Sequence, residues 1–186
     1  MTTSPASLLT IFGATGDLAQ RMLLPSLYGL QGDGLLPASM RILGTARSAL
    51  DYDAVRAFVA DAIARFVPAE QRSDANLQAL LARVHYQPAS LDNDASMQSL
   101  AERIQGLRSG DIVYHLSTSP IFYEQACAAL ARHGLAGPGT RVMLEKPIGH
   151  DLGEAIAIND GVTRSFDEDR VYRVDHYLGK EGVQNL

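Results

Sequence analysis

The side chains with which this chain could do chemistry lie in a few short segments, each directly behind an apolar run. GATGDLAQ carries Gly13 and Gly16 at the mouth of a helical stretch that continues through Leu18, Met22 and Leu23, with Ala19 in the third place of the glycine pattern. Glycines there permit a tight turn and let a pyrophosphate approach the backbone N–H groups at the positive end of a helix. The spacing departs from GxGxxG, so Gly13, Ala14, Thr15, Gly16, Asp17, Leu18 and Ala19 read either as a nucleotide turn or as an ordinary strand-to-helix turn. Position behind the first strand of an α/β chain favours the nucleotide.

GTARS comes next. An acidic residue at that point would bond the ribose 2'-hydroxyl of NAD, whereas Arg47 offers a planar fork suited to the 2'-phosphate of NADP. NADP is therefore the expected cofactor, with NAD possible, and a solvated surface arginine is the bland alternative. Leu91 and Asp92 either touch the adenosine half or cap the next helix. Ser117, Thr118, Ser119 and Pro120 make a polar turn that either lines the nicotinamide ribose or is a plain loop.

EKPIGHDL places Lys146 at a strand end beside Pro147, where its ammonium can donate to a substrate hydroxyl if it does not simply face solvent. RVDHYLGK is the densest group of donors. His176, Tyr177 and Lys180 supply imidazole, phenol and ammonium for gripping a phosphate, and Asp175 can accept a hydrogen bond from an imidazole and stabilise its protonated form. His85, His115, His133 and His150 show no metal-ligand spacing, so no metal site is expected.

Bringing these segments to one place requires a parallel sheet. Strands are expected at 8–12, 41–45, 84–87, 112–116, 141–144 and 171–174, continuously apolar rather than alternating, as strands buried on both faces are. Helices are expected between them. Val55, Phe58, Val59, Ala62, Ile63 and Phe66 repeat at helical spacing behind the capping residue Asp51, Met97 to Leu107 makes a second stripe, and a third over 123–133 is closed by Gly134. Strands separated by helices are parallel with right-handed crossovers, which predicts an α/β fold: a Rossmann-like doubly wound sheet with helices on both faces, binding ligands outside its carboxyl edge.

Composition agrees with such a domain. The 186 residues are 46% hydrophobic and 20% charged, with a net charge of -5, and a chain of this length buries a core without disulfides or metal. The mild acidity, with no dense basic stripe, argues against a nucleic-acid partner. Apolar runs are strand-sized, so no membrane span is expected, and the N-terminus lacks a basic region before its apolar stretch, so no secretory signal is expected. The single cysteine, Cys127, sits in a helical run and reads as a buried small hydrophobe in a protein of the reducing cytoplasm. The final LGKEGVQNL looks like a helix that stops before its apolar face is established, which suggests a piece of a longer protein.

GATGDLAQRMLLPSLYGL, GTARS, SPIFYEQ, EKPIGHDL and RVDHYLGKEGVQNL, taken together and in this order, resemble the glucose-6-phosphate dehydrogenase family. The resemblance implies oxidation of glucose 6-phosphate at C1 to 6-phosphogluconolactone with hydride transfer to NADP, the first step of the oxidative pentose phosphate pathway. It implies that Gly13 to Ala19 form the phosphate-binding turn and that Arg47 contacts the 2'-phosphate. It also implies that Lys146 reaches substrate and cofactor, that His176, Tyr177 and Lys180 grip the substrate phosphate, and that Asp175 pairs with the catalytic base. In the family that base is a histidine of a following α+β domain, which also builds a homodimer or homotetramer. Residues 1–175 would then be the NADP-binding domain and 176–186 the start of the second, the rest of that α+β domain being absent, so that the chain binds NADP without turning over. The rival readings are a sugar oxidoreductase of the glucose-fructose oxidoreductase type, which also carries an EKP turn, and a non-catalytic NADP-binding module.

Overall fold

A computed structural model describes residues 6–175 of the chain. Its core is one parallel sheet of β1 (Ala6–Phe12), β2 (Arg41–Thr45), β3 (Val84–Tyr86), β4 (Asp111–Leu116), β5 (Thr140–Glu145) and β6 (Val171–Val174), in the order β3-β2-β1-β4-β5-β6. The order reverses beside β1. There the register runs Phe12 to Thr45 on one side and Phe12 to Leu116 on the other, so the loops behind β1, β2 and β4 open at one edge. A doubly wound sheet places its ligand crevice at such a reversal.

Two apolar layers hold the helices against the two faces. One joins Ile11 and Ile42 to Leu24, Leu27 and Tyr28 of α1 (Leu24–Gly32), to Val59 and Ile63 of α2 (Tyr52–Phe66), and to Leu80 of α3 (Asp74–Leu81). The other joins Leu8, Ile112 and Val142 to Leu100 and Ile104 of α4 (Asp94–Leu107), to Ala126 and Leu130 of α5 (Tyr123–Arg132), and to Ile158 and Val162 of α6 (Leu152–Thr163). The helix starts are chemically marked. The Asp51, Ser73, Asn93 and Asp151 side chains each accept from a backbone N–H three residues on, satisfying donors that a helix end would otherwise leave unpaired.

The expected strands and stripes lie where the periodicity puts them, with edges moved by a residue or two. Helix α2 runs from 52 to 66 as expected, and Gly134 stands at φ 70°, the left-handed geometry of a helix stop. Helices α3 and α6 carry no clear apolar stripe: α3 is eight residues long, and α6 leaves Leu152 and Ile156 exposed, which blurs its period. Ahead of α1 the chain makes a π turn over Ala19–Leu23, in which Leu24 donates to the Ala19 carbonyl. Pro25 has no N–H to give, and the ladder widens in front of it. Among the described residues no helix is long and apolar enough to cross a membrane.

Candidate functional site

A cavity of about 350 Å³ opens at the carboxyl edge, between the ends of β1, β2, β3 and β4. Its floor is the glycine turn. Gly13 sits at φ 78°, and a Cβ there would come within 2.3 Å of the Ser117 carbonyl oxygen and 3.0 Å of Thr118 Cγ2. Only glycine fits, because the β1 and β4 loops touch at this point. The Gly13 and Ala14 N–H groups bond to the Thr45 carbonyl and Gly16 bonds back to Gly13, which fixes the turn just before the helical run begins at residue 17. The first N–H groups of a helix have no partner within it and suit an anion.

The β2 loop forms one wall and is held by its neighbours. Ala89 N–H donates to the Ala46 carbonyl at 3.0 Å, and the Tyr86 hydroxyl donates to the Ser48 carbonyl at 2.7 Å, so Arg47 stands on a loop secured at both sides. Ser90 donates to the Asp92 carboxylate at 2.5 Å. That bond holds the Asp92 carboxyl below its usual value, and the Arg47 guanidinium adds to the lowering. Asn93 rather than Asp92 caps α4, which leaves Asp92 on the cavity wall with Leu91 and Ala89. Opposite stand Ser117, Thr118 and Phe122.

Three hydroxyls on this cavity, those of Thr45, Ser117 and Thr118, are buried without a hydrogen-bond partner among the described residues. Buried hydroxyls are normally satisfied, so their clustering here fits a polar ligand with both donors and acceptors. A glycine-floored cleft lined by an arginine and by three buried hydroxyls fits a dinucleotide.

Of the residues expected at such a site, the structure gathers Gly13, Thr15, Gly16, Arg47, Leu91, Asp92 and Ser117 on the cavity. Ala14, Asp17, Leu18 and Ala19 do not line it: Ala19 is buried in the core, and Asp17 pairs with Arg21 at 2.7 Å on the exposed helix face. Thr45 and Gln125 line it unanticipated. Thr45 closes β2 just ahead of Arg47, and its place at a strand's carboxyl end was the available signal, whereas nothing local marks Gln125 on α5.

Lys146 and Asp175 form a second group at the same edge, behind β5 and β6. The Lys146 ammonium lies 3.3 Å from the Asp175 carboxylate, and its backbone N–H donates to the Val174 carbonyl at 3.1 Å. Lys146 is half exposed, its peptide bond to Pro147 is cis, and Gly149 turns at φ 80° with a Cβ position 2.7 Å from Ala155 N. The turn at Gly149 brings the chain close against the start of α6. Behind it, Glu145 is buried against His115 at 2.9 Å. His176, Tyr177 and Lys180 lie outside the described residues.

Cys127 is buried in α5, and burial pushes its thiol up to about 12, so it supplies no thiolate nucleophile. Among the described residues no three His, Cys, Asp or Glu side chains gather as a metal site would require.

Comparison with known proteins shows the family and the fold. The model of the glucose-6-phosphate dehydrogenase NAD-binding domain matches residues 10–185. The glucose-6-phosphate 1-dehydrogenase of Zymomonas mobilis is 46% identical over 99% of this chain, and that of Gluconobacter oxydans is 43% identical over 95%. The chain spans 38% and 36% of those two proteins' lengths. Among solved structures, a glucose-6-phosphate dehydrogenase in complex with its substrate glucose-6-phosphate superposes over the whole chain with a TM-score of 0.88 at 31% identity, covering 40% of that protein. The glucose-6-phosphate 1-dehydrogenase of Mycobacterium avium superposes with the same score at 33% identity, over 97% of this chain and 38% of its own. From the family match over residues 10–185 and the superposition of its sheet on these solved structures, this chain belongs to the glucose-6-phosphate dehydrogenase family and corresponds to its NAD-binding domain.

Proposed function

We propose that the chain is the NADP-binding part, residues 1–175, of an oxidoreductase that oxidises glucose 6-phosphate at C1 to 6-phosphogluconolactone, at the entry to the oxidative pentose phosphate pathway in the cytoplasm. The observation that carries this reading is the pairing, on one sheet edge, of a glycine-floored cavity bearing Arg47 with the Lys146–Asp175 ion pair. When bound in the cavity, NADP supplies the hydride acceptor. Gly13, Thr15 and Gly16 approach its pyrophosphate, Arg47 pairs with the 2'-phosphate, and the Thr45, Ser117 and Thr118 hydroxyls bond its polar groups. NAD, lacking the 2'-phosphate, is accommodated less tightly.

Lys146 donates to the sugar's oxygen and keeps it oriented while the hydride leaves. Asp175 steers the Lys146 ammonium and pairs with a histidine base supplied by a following domain, which residues 176–186 open. His176, Tyr177 and Lys180 grip the substrate phosphate. Dimers or tetramers form through that later domain. Hydride loss from C1 needs the hydroxyl proton removed, and a positioned base contributes about 100- to 10,000-fold. The 186 residues alone therefore bind nucleotide without measurable turnover.

Calorimetric titration with NADP and with NAD, followed by an assay for glucose 6-phosphate-dependent reduction, tests both halves. Tighter NADP binding without turnover is expected. Equal binding of the two nucleotides overturns the cofactor assignment, and reduction by the pure chain overturns the assignment of the base.

A further inference from the structure

We propose that Tyr123 and His115 are positioning residues for Lys146, acting through Glu145, the residue before it. Tyr123 opens α5 and is fully buried. Its hydroxyl donates to the Glu145 carbonyl at 3.0 Å and accepts from the Glu145 N–H at 3.2 Å, so one side-chain oxygen spans both main-chain groups of Glu145. His115, on β4, places Nε2 2.9 Å from the Glu145 carboxylate, with both side chains under a tenth exposed. The next residue is Lys146, whose own N–H is fixed to Val174.

Strand pairing alone does not call for this arrangement. A phenylalanine at 123 and an apolar pair at 115 and 145 would fill the same space without burying an imidazole and a carboxyl, and such buried polar groups are retained at a cost that specificity can justify. The cost falls at the last residue of β5, one peptide ahead of the ammonium that the proposed chemistry uses. The anchors also border the nucleotide cavity: Phe122 precedes Tyr123 and Ser117 lies two residues beyond His115, and both line it. The same buried unit thus fixes Lys146 relative to the wall of the cofactor cavity. The positioning itself stands on these contacts, and only its value for sugar oxidation rests on the function proposed above.

Lys146 and Lys180 are the only lysines in the sequence, so Lys146 can be read individually. The folded 186-residue chain is pulsed with an amine-reactive ester, without nucleotide or sugar, and the Lys146 rate is measured by peptide mass spectrometry against N-acetyl-lysine in the same tube. Asp175→Asn serves as the reference for a loosened ammonium. Tyr123→Phe and His115→Leu are each expected to raise the Lys146 rate about two- to tenfold, the range set by one lost buried hydrogen bond. Neither adds a further rise in the Asp175→Asn background, as coupled sites behave. His115→Gln, which keeps a donor, returns the rate toward wild type. A merely structural role would lower the melting temperature and leave the rate in the folded protein unchanged. A folded Tyr123→Phe or His115→Leu chain with the wild-type Lys146 rate overturns the proposal, and either variant suffices if the other does not fold. Failure to bind NADP would leave this result untouched.

Discussion

Lys146 and Asp175 are 29 residues apart in the chain and 3.3 Å apart in the fold, their charges meeting where β5 and β6 end side by side. The backbone bond from Lys146 to Val174 aligns the two strand ends, and the register Glu145 to Val174 makes the following residues face each other. The pair is half open to water, with Lys146 48% and Asp175 26% exposed, so it orients far more than it stabilises.

Asp175→Asn is accordingly expected to lower the unfolding free energy by less than about 1 kcal/mol, the usual worth of an accessible ion pair. Urea denaturation of the two chains measures it. A loss above about 2 kcal/mol would show that the pair is part of the core.

Arg47→Ala is expected to weaken NADP binding about 10- to 100-fold while leaving NAD within about twofold, since hydrogen bonds to a charged phosphate are among the stronger ones. Parallel calorimetric titrations give the ratio directly. A proportional loss for both nucleotides would move Arg47 from the 2'-phosphate to a general support of the loop.

Gly13→Ala and Gly34→Ala make a matched pair. Both glycines have positive φ, 78° and 69°, but a Cβ at Gly13 meets backbone at 2.3 Å whereas one at Gly34 meets nothing within 4 Å. The Gly34 variant should lose about 1 kcal/mol from the left-handed backbone alone. The Gly13 variant should lose well over twice that and fail to bind nucleotide, because the β1 and β4 loops must part. Equal melting temperatures for the two would contradict the close approach.

Alkaline pH should destabilise the fold, starting with Cys127. Burial raises its thiol from an ordinary 9.0 to about 12, and burial likewise raises Tyr123 from 10.0 to about 12. Between those values the folded chain keeps protons that the unfolded chain releases. Stability is therefore full below about pH 9 and falls as pH rises toward 12, by at most about 1.4 kcal/mol per pH unit for each group, Cys127 contributing above pH 9 and Tyr123 above pH 10. Denaturation midpoints from pH 7 to 11 follow the decline, and Cys127→Ala should remove its portion between pH 9 and 10.

Much of this protein is legible locally. Apolar runs bounded by glycine and by capping residues such as Asp51 define strands and helices through backbone geometry and burial, which act over a few residues, and the alternation of the two types implies a parallel sheet. Gly13, Arg47 and Ser117 could be singled out because a parallel sheet sends every loop behind a strand to one edge. What tertiary structure decided is which of those residues meet. Ala14 and Ala19 belong to the same motif as Gly13 yet do not line the cavity, since the turn and the helix it starts carry them away from it. Thr45 was marked only by its place at a strand's carboxyl end, and the Gly13 and Ala14 N–H groups bond to its carbonyl and fold the turn beside it. The Tyr123–Glu145–His115 contacts join three strand or helix ends through side chains that look like ordinary core in sequence. No local spacing encodes such contacts, because they depend on strand order and register, and these are set by the packing of the whole sheet.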